Sequence, residues 1–396
     1  MVKKFKIAFI CKKFPTISET FIRNQIDYFI EQGHEVSIIA TGHLKDNALL
    51  RKYKNVYGMK SNFQKLYLFP FFFILSFLKN PLFTLKSLNF FKYWREAFYL
   101  KIFYPYIFSK DKKYDILMCH FGDSGVVGSF IKKEFMKDSK LFCMFHGFDI
   151  RKGIKKKGKI YTQLFKQADG IFSISHYNYY YLKKWGAKNI INHPVGIDTQ
   201  KYKIKNKRIK NDKIKILTIG RLVKEKGYFY AIDAVSKLIK DNPEKLIEYN
   251  IVGDGYLKKE IRDYIKKKKL EKIIFLHGEK EGEEILEFYK NSDIFLLTSV
   301  NEALPVVIME AQSYELPVVV TDVGSVKEEI IQGKSGFIVP KKDVKEIFKK
   351  LQWLVDNRNK WGIFGKVGRL NIIKKYDINR LNKKLEKTFY ESLKKK

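Results

Sequence analysis

Apolar residues along the chain gather in short, dense blocks separated by mixed stretches. In the first half the blocks are Lys6–Cys11, Glu35–Ala40, Asp115–His120, Leu141–His146, Gly170–Ser175 and Asn189–His193. Each is rich in Ile, Val or Phe, and amphipathic segments lie between several of them, which predicts a parallel sheet flanked by helices. A second series runs Ile214–Ile219, Glu248–Val252, Ile273–Leu276, Ile294–Thr298, Pro317–Thr321 and Phe337–Val339. Helical patterns separate these at Tyr228–Lys240, Tyr256–Lys268 and Glu283–Lys290. Between the two series, Thr199 to Lys213 carries charge and Asn without an apolar block, so it predicts a solvated linker. The reading is an α/β protein with Rossmann-like domains at 1–198 and 214–373, a linker at 199–213, and a cleft between the domains as the default ligand site.

Residues 51–110 break the alternation. They hold twenty aromatic residues and eleven Lys or Arg against one acid, Glu96, and include the uncharged run Leu66 to Leu78. A membrane span needs about 20 apolar residues, and Pro70 interrupts this run, so a crossing helix is not expected. Two readings stay open: a helix pair in the core, or a basic aromatic surface that enters an anionic membrane interface.

Composition supports folded domains, with 45% hydrophobic and 15% aromatic residues over 396 positions. The net charge of +36 attracts polyanions without choosing among nucleic acid, an anionic membrane surface and phosphorylated small molecules. Cys11, Cys119 and Cys143 lie in or beside apolar runs with no second Cys at metal-ligand spacing, and read as reduced core residues. The amino terminus has an apolar stretch too short for a secretory signal and reads as a first strand, so the expected location is cytoplasmic.

Three familiar motifs fail by letter. Gly333-Lys334-Ser335 would end a P-loop, but Glu328 stands where its first glycine belongs. Gly253 and Gly255 follow a strand, yet Lys258 replaces the third glycine of a dinucleotide fingerprint. No two Asp residues are spaced by two, which removes the usual carrier of a divalent metal on a nucleotide-sugar; no metal or other cofactor is expected. A diphosphate would then be neutralised by protein cations and amides.

Two stretches supply such groups. Gly220 closes Ile214–Ile219, and Arg221 and Lys226 follow from the carboxyl end of that strand; glycine permits close backbone approach, Arg offers a fork and Lys a point charge. After Ile294–Thr298 comes Ser299-Val-Asn-Glu302-Ala-Leu304-Pro305-Val306, then Glu310. Pro305 suits a first helical turn, so a helix is predicted from near Leu304, with free amides and a positive dipole end toward an anion. Glu302 precedes that start and Glu310 lies within the helix in an apolar context, where a charge without a partner is costly.

These strings, with ELPVVVTDVGSVKEEI, GKSGFIVP, HGFD at His146 to Asp149 and HPVGID at His193 to Asp198, resemble family 4 of the retaining glycosyltransferases, which have the GT-B fold. FPTISETFI, Phe14 to Ile22, is similar to the subgroup that builds bacterial exopolysaccharides such as colanic acid and amylovoran. The resemblance implies that Arg221 and Lys226 hold the donor diphosphate, with amides near Leu304, Pro305 and Val306. It gives the ribose hydroxyls to Glu310, the transferred sugar to Glu302 and the base to backbone at Gly278. His146 would face the donor sugar with Asp149 beside it, Ser18, Glu19 and Thr20 would occupy the loop that carries a glycine pair in many relatives, and residues 374–396 would return as a helix to the first domain. The implied activity is transfer of a hexosyl group from a nucleoside-diphosphate sugar to a glycan or lipid-linked acceptor, peripheral to the inner face of the cell membrane. A basic nucleic-acid-binding protein is the alternative, but runs such as Lys155–Lys157 and Lys266–Lys269 lack a reader motif, and no nucleic acid is expected as partner.

Overall fold

The computed structural model describes residues 4–16, 20–45, 49–89, 100, 102–109, 113–202 and 212–394. The chain forms two compact units: Met1–Pro194 with Leu381–Lys396, and Val195–Arg380.

The first unit is built on a seven-stranded parallel sheet: β1 (Lys6–Phe14), β2 (Glu35–Leu44), β3 (Val56–Tyr57), β4 (Ile116–His120), β5 (Lys140–Phe145), β6 (Gly170–Ser173) and β7 (Ile190–Asn192). Their spatial order is β3-β2-β1-β4-β5-β6-β7. Ile7 pairs with both Val36 and Ile116, and Cys119 with Cys143. Residues Ile7 to Cys11 are fully buried because helices cover both faces, which is why these strands read as continuous apolar runs rather than alternating ones. The three cysteines are free and lie in this core. Phe389, from the helix Ile378–Lys394, lies 5.6 Å from Phe29 and 4.9 Å from Phe142, while Glu386 accepts from the Tyr28 hydroxyl at 2.8 Å.

Three helices of this unit matter below: α1 (Thr20–Glu31), α2 (Asn62–Lys79) and α3 (Pro81–Ser87). Ser61 caps α2 by accepting from the Gln64 amide.

The second unit carries a six-stranded parallel sheet: β8 (Ile214–Ile219), β9 (Ile247–Val252), β10 (Ile274–Leu276), β11 (Ile294–Leu297), β12 (Val318–Thr321) and β13 (Gly336–Val339), in the order β10-β9-β8-β11-β12-β13. Its core gathers Ile216, Tyr249, Ile251 and Leu296 with Ala231, Val235 and Leu351 from the covering helices.

The unit limits differ from the sequence-based ones. Ile197 donates its amide to Tyr376 and Thr199 bonds Asp377 at 2.6 Å, so the start of the expected linker is built into the second unit. Residues 203–211 of that linker lie outside the described set. At the other end, Tyr376 donates to the Glu328 carbonyl and Phe364 packs on Phe337, which keeps the helix Trp361–Tyr376 in the second unit up to Arg380 rather than 373.

Candidate active site

In both sheets the loops after the strands gather at the carboxyl edge, where open α/β folds bind ligands. At the edge of the second sheet, Gly220 donates to the Val252 carbonyl and accepts from the Tyr228 hydroxyl at 2.6 Å. Two glycines seat the loops around it. Gly227 has φ +67°, and a Cβ there would come within 2.1 Å of the Thr298 carbonyl oxygen. Gly324 has φ +56°, with the Glu302 carbonyl oxygen 2.2 Å from the same imaginary atom. Any side chain would therefore push the Lys226 and Glu302 loops away from their neighbours.

Lys226 and Glu302, predicted for the diphosphate and the sugar, meet directly. Lys226 Nζ donates to Glu302 Oε1 at 2.6 Å, and Ser299 Oγ donates to the same oxygen at 2.7 Å. Their side chains are 15% and 13% exposed, so the pair is reachable yet largely shielded. The loop is fixed further by the Val300 amide on the Glu225 carbonyl and by the Ser325 amide on the Ala303 carbonyl. Arg221 is exposed and has no side-chain partner among the described residues.

The predicted helix after this loop spans Val306–Ser313, two residues later than expected. Pro305 is its cap and not its first turn: at φ −80° and ψ 102° it is extended, and its carbonyl accepts from the Ile308 amide. A cap needs a carbonyl, which proline keeps, and no N–H, which proline lacks. Among the described residues the amides of Leu304, Val306 and Val307 have no protein acceptor. They are the donor set available to an anion.

Glu310 is partly buried and takes one tyrosine on each oxygen: Tyr202 on Oε1 at 2.8 Å and Tyr289 on Oε2 at 2.6 Å. Burial raises its carboxyl above the ordinary value, and the two hydroxyl donors oppose that rise. Each oxygen keeps a further lone pair for an incoming hydroxyl. Gly278 lies beyond β10 at φ +71° with open space where a side chain would stand, and its carbonyl accepts from the Gly253 amide at 2.7 Å.

Sequence reasoning missed Glu329. It is fully buried, neither carboxylate oxygen has a partner among the described residues, and burial followed by the charges of Glu302 and Glu328 drives its carboxyl well above the usual range. An adjacent pair of glutamates gives no hint that one turns inward. The tyrosines of Glu310 were missed too, being distant in sequence.

The first sheet's edge is different in kind. His146 caps the helix Gly147–Lys155, and Asp149 accepts the His146 amide at 2.9 Å. Asp149 is fully enclosed, and burial lifts its carboxyl to about 7. Around His146 stand Phe21 at 4.6 Å, Phe121 at 4.5 Å and His120, whose Nδ1 is 3.4 Å from His146 Nε2. Burial lowers His146 to about 3, so it is a neutral imidazole at neutral pH. His120 and His193 are also buried and depressed, and His120 carried no signal of its own in the sequence. Thr20 opens α1 and is exposed; Ser18 and Glu19 lie outside the described residues. Phe21, next in the same motif, is what reaches His146.

Comparison with known proteins gives the family and the fold. The family model for Glycosyltransferase Family 4 matches residues 18–201, and that for Glycosyl transferases group 1 matches residues 199–370. The amylovoran biosynthesis glycosyltransferase AmsK of Erwinia amylovora is 30% identical over 86% of this chain and 88% of its own. The putative colanic acid biosynthesis glycosyltransferase WcaL of Salmonella typhimurium is 28% identical over 87% and 89%. Among solved structures, a glycosyltransferase from Rickettsia africae superposes with TM-score 0.74 over all of both chains at 17% identity. HepE of Anabaena, crystallised with UDP, gives 0.73 over 98% of this chain and all of its own at 16% identity. The two parallel sheets are thus those of the GT-B fold, and the nucleic-acid reading draws no support from these matches. The chain belongs to glycosyltransferase family 4, among the glycosyltransferases of exopolysaccharide synthesis.

Proposed function

We propose that the protein transfers a hexosyl group from a nucleoside-diphosphate sugar to a glycan or lipid-linked acceptor, with retention and without a divalent metal, at the inner face of the cell membrane. The observation that carries this is the Lys226–Glu302 pair beside acceptor-free helix amides, with Arg221 open to solvent. Arg221, Lys226 and the amides of Leu304, Val306 and Val307 receive the diphosphate. Glu302, sharing Lys226, accepts from a sugar hydroxyl, and Glu310 accepts from the ribose. At the first sheet's edge, neutral His146 offers a dipole within an aromatic-lined wall, a surface suited to sugar hydroxyls and ring faces. HepE was crystallised with UDP, which supports a nucleoside diphosphate as the ligand class here.

In the reaction the bond from the anomeric carbon to the diphosphate oxygen breaks and a bond to the acceptor oxygen forms on the same face. The acceptor proton passes to the departing diphosphate. Charge grows on that leaving group, so donors already fixed in place favour the transition state over the ground state. Glu302 and Glu310 are both engaged as hydroxyl acceptors, which disfavours a glycosyl-enzyme intermediate. The test is turnover in excess chelator with the first-formed anomer identified by nuclear magnetic resonance. Persistence of activity and a retained anomer are expected; loss restored by manganese or magnesium, or an inverted anomer, overturns the corresponding part.

A further inference from the structure

Helices α2 and α3 are built inside out. On α2 two polar residues in the body of the helix turn toward the protein: Lys65 is 8% exposed and donates to the Thr41 carbonyl at 3.2 Å, and Ser76 is buried against Thr84 at 2.7 Å. Leu68, Phe69, Phe72 and Phe73 accompany them, packed on Phe103 and Tyr104. The outward stripe is apolar along its length, with Leu66, Phe71, Ile74 and Leu78 exposed at helical spacing. On α3 the same inversion holds: Thr84 and Ser87 are buried, while Leu82 and Leu85 face outward. Of 21 large apolar side chains exposed among the described residues, ten fall between Phe63 and Leu85. A contiguous exposed apolar stripe marks an interaction surface, and among the described residues the outward face of α2 is left exposed.

We propose that the outward face of α2 and α3 is a monotopic membrane anchor that lies in the interface of an anionic bilayer. No acid occurs from Asn62 to Asn89, and the outward charges are Lys79 and Lys86, the latter 3.9 Å from Glu134. None of the described helices is long and apolar enough to cross a membrane, so the pair lies along the surface with its apolar stripe among the acyl chains. Charge decides between lipid and a second copy of the chain: at +36, two copies repel each other, whereas an anionic leaflet attracts the protein. Lipid binding is measured without any transfer reaction, so its failure and failure of the proposed activity are separate results.

The experiment is co-sedimentation of the full chain with phosphatidylglycerol-containing and pure phosphatidylcholine vesicles, at low and high salt. A Leu66→Asn, Phe71→Asn, Ile74→Asn, Leu78→Asn variant changes only outward side chains, and circular dichroism confirms its fold. Wild type is expected to bind the anionic vesicles, to keep a fraction bound at high salt, and to lose about tenfold or more of its partitioning in the variant. A Phe71→Trp reporter is expected to shift to the blue on vesicles and to be quenched by brominated lipid, a signature that simple charge attraction does not produce. Wild type remaining in the supernatant overturns the proposal, as does equal binding by the quadruple variant. A concentration-dependent dimer that the variant dissociates, with no vesicle binding, assigns the face to self-association and overturns it too.

Discussion

The carboxyl edges of the two sheets occupy the same place in two similar parallel architectures, yet they present opposite chemistry. The second sheet's edge is charged: Lys226 and Glu302 face each other at 2.6 Å and Arg221 is open beside them. The first sheet's edge is built on neutral buried rings: His146, His120 and His193 are buried, depressed by that burial and surrounded by Phe9, Phe21, Phe121 and Phe172, and the charges nearby, Asp123 and Lys152, are paired with each other. Strand topology gives each edge a place for a ligand, and the side chains at the strand ends decide which ligand. An edge that must meet a growing negative charge holds fixed donors, while an edge that meets neutral hydroxyls and ring faces does best with neutral imidazoles and aromatic rings.

The largest effect separates these edges by charge. Arg221→Ala and Lys226→Ala are each expected to lower kcat by about 100-fold or more, because their attraction strengthens as the diphosphate departs. Glu302→Gln is expected to lose transfer to a comparable degree, yet to bind free nucleoside diphosphate somewhat more tightly, since Lys226 loses the carboxylate it now faces. Calorimetric titration reads the binding half; weaker nucleotide binding in this variant would contradict the competition between Glu302 and the diphosphate. Next in size, Glu310→Ala should weaken nucleotide affinity by about tenfold with kcat less affected, and Tyr289→Phe by less, since one tyrosine donor remains on the carboxylate.

At the neutral edge the expectation concerns pH. With His146 held near 3, no limb of the rate profile between about pH 5 and 8 should belong to it. His146→Ala is expected to slow transfer while leaving the profile's shape unchanged in that range. A wild-type limb in that range that disappears in His146→Ala would make the imidazole a proton carrier and erase the contrast between the edges.

Much of this was legible in sequence for a simple reason. Strands buried on both faces read as unbroken apolar runs, so β8 falls where predicted, as do the helices Tyr228–Lys240 and Glu283–Lys290, whose apolar residues recur with helical period. The two-residue edge strand β3 is too short for any pattern. Pro305 announced a helix start without revealing whether it stood before or within the first turn. The Lys226–Glu302 contact spans 76 residues, and the pairing of Glu310 with Tyr202 spans 108; only the folded unit creates them. Hydropathy alone could not orient α2, because Lys65 and Ser76 facing inward is a fact of tertiary packing.

The smallest effect tests whether the neutral edge also excludes a charged carboxylate. Asp149 titrates near 7 in the folded protein against an ordinary value of 3.8, chiefly because burial penalises its ionised form. Between those values the unfolded chain has released the proton and the folded chain has kept it, so the folded state binds more protons and loses stability as pH rises. This contribution is fully present below about pH 4 and is lost as the pH climbs through about 7. Asp149→Asn keeps an oxygen to accept the His146 amide and cannot ionise, so it removes the pH dependence and leaves the helix cap. The difference in melting temperature between variant and wild type should then move in the variant's favour from about pH 4 to about pH 7 and level off below that window. His146, which loses stability in the opposite direction as pH falls from 6.5 toward 3, is present in both proteins and cancels in the difference. A flat difference across the window would mean that Asp149 is ionised throughout, and would place a buried charge beside the neutral imidazoles.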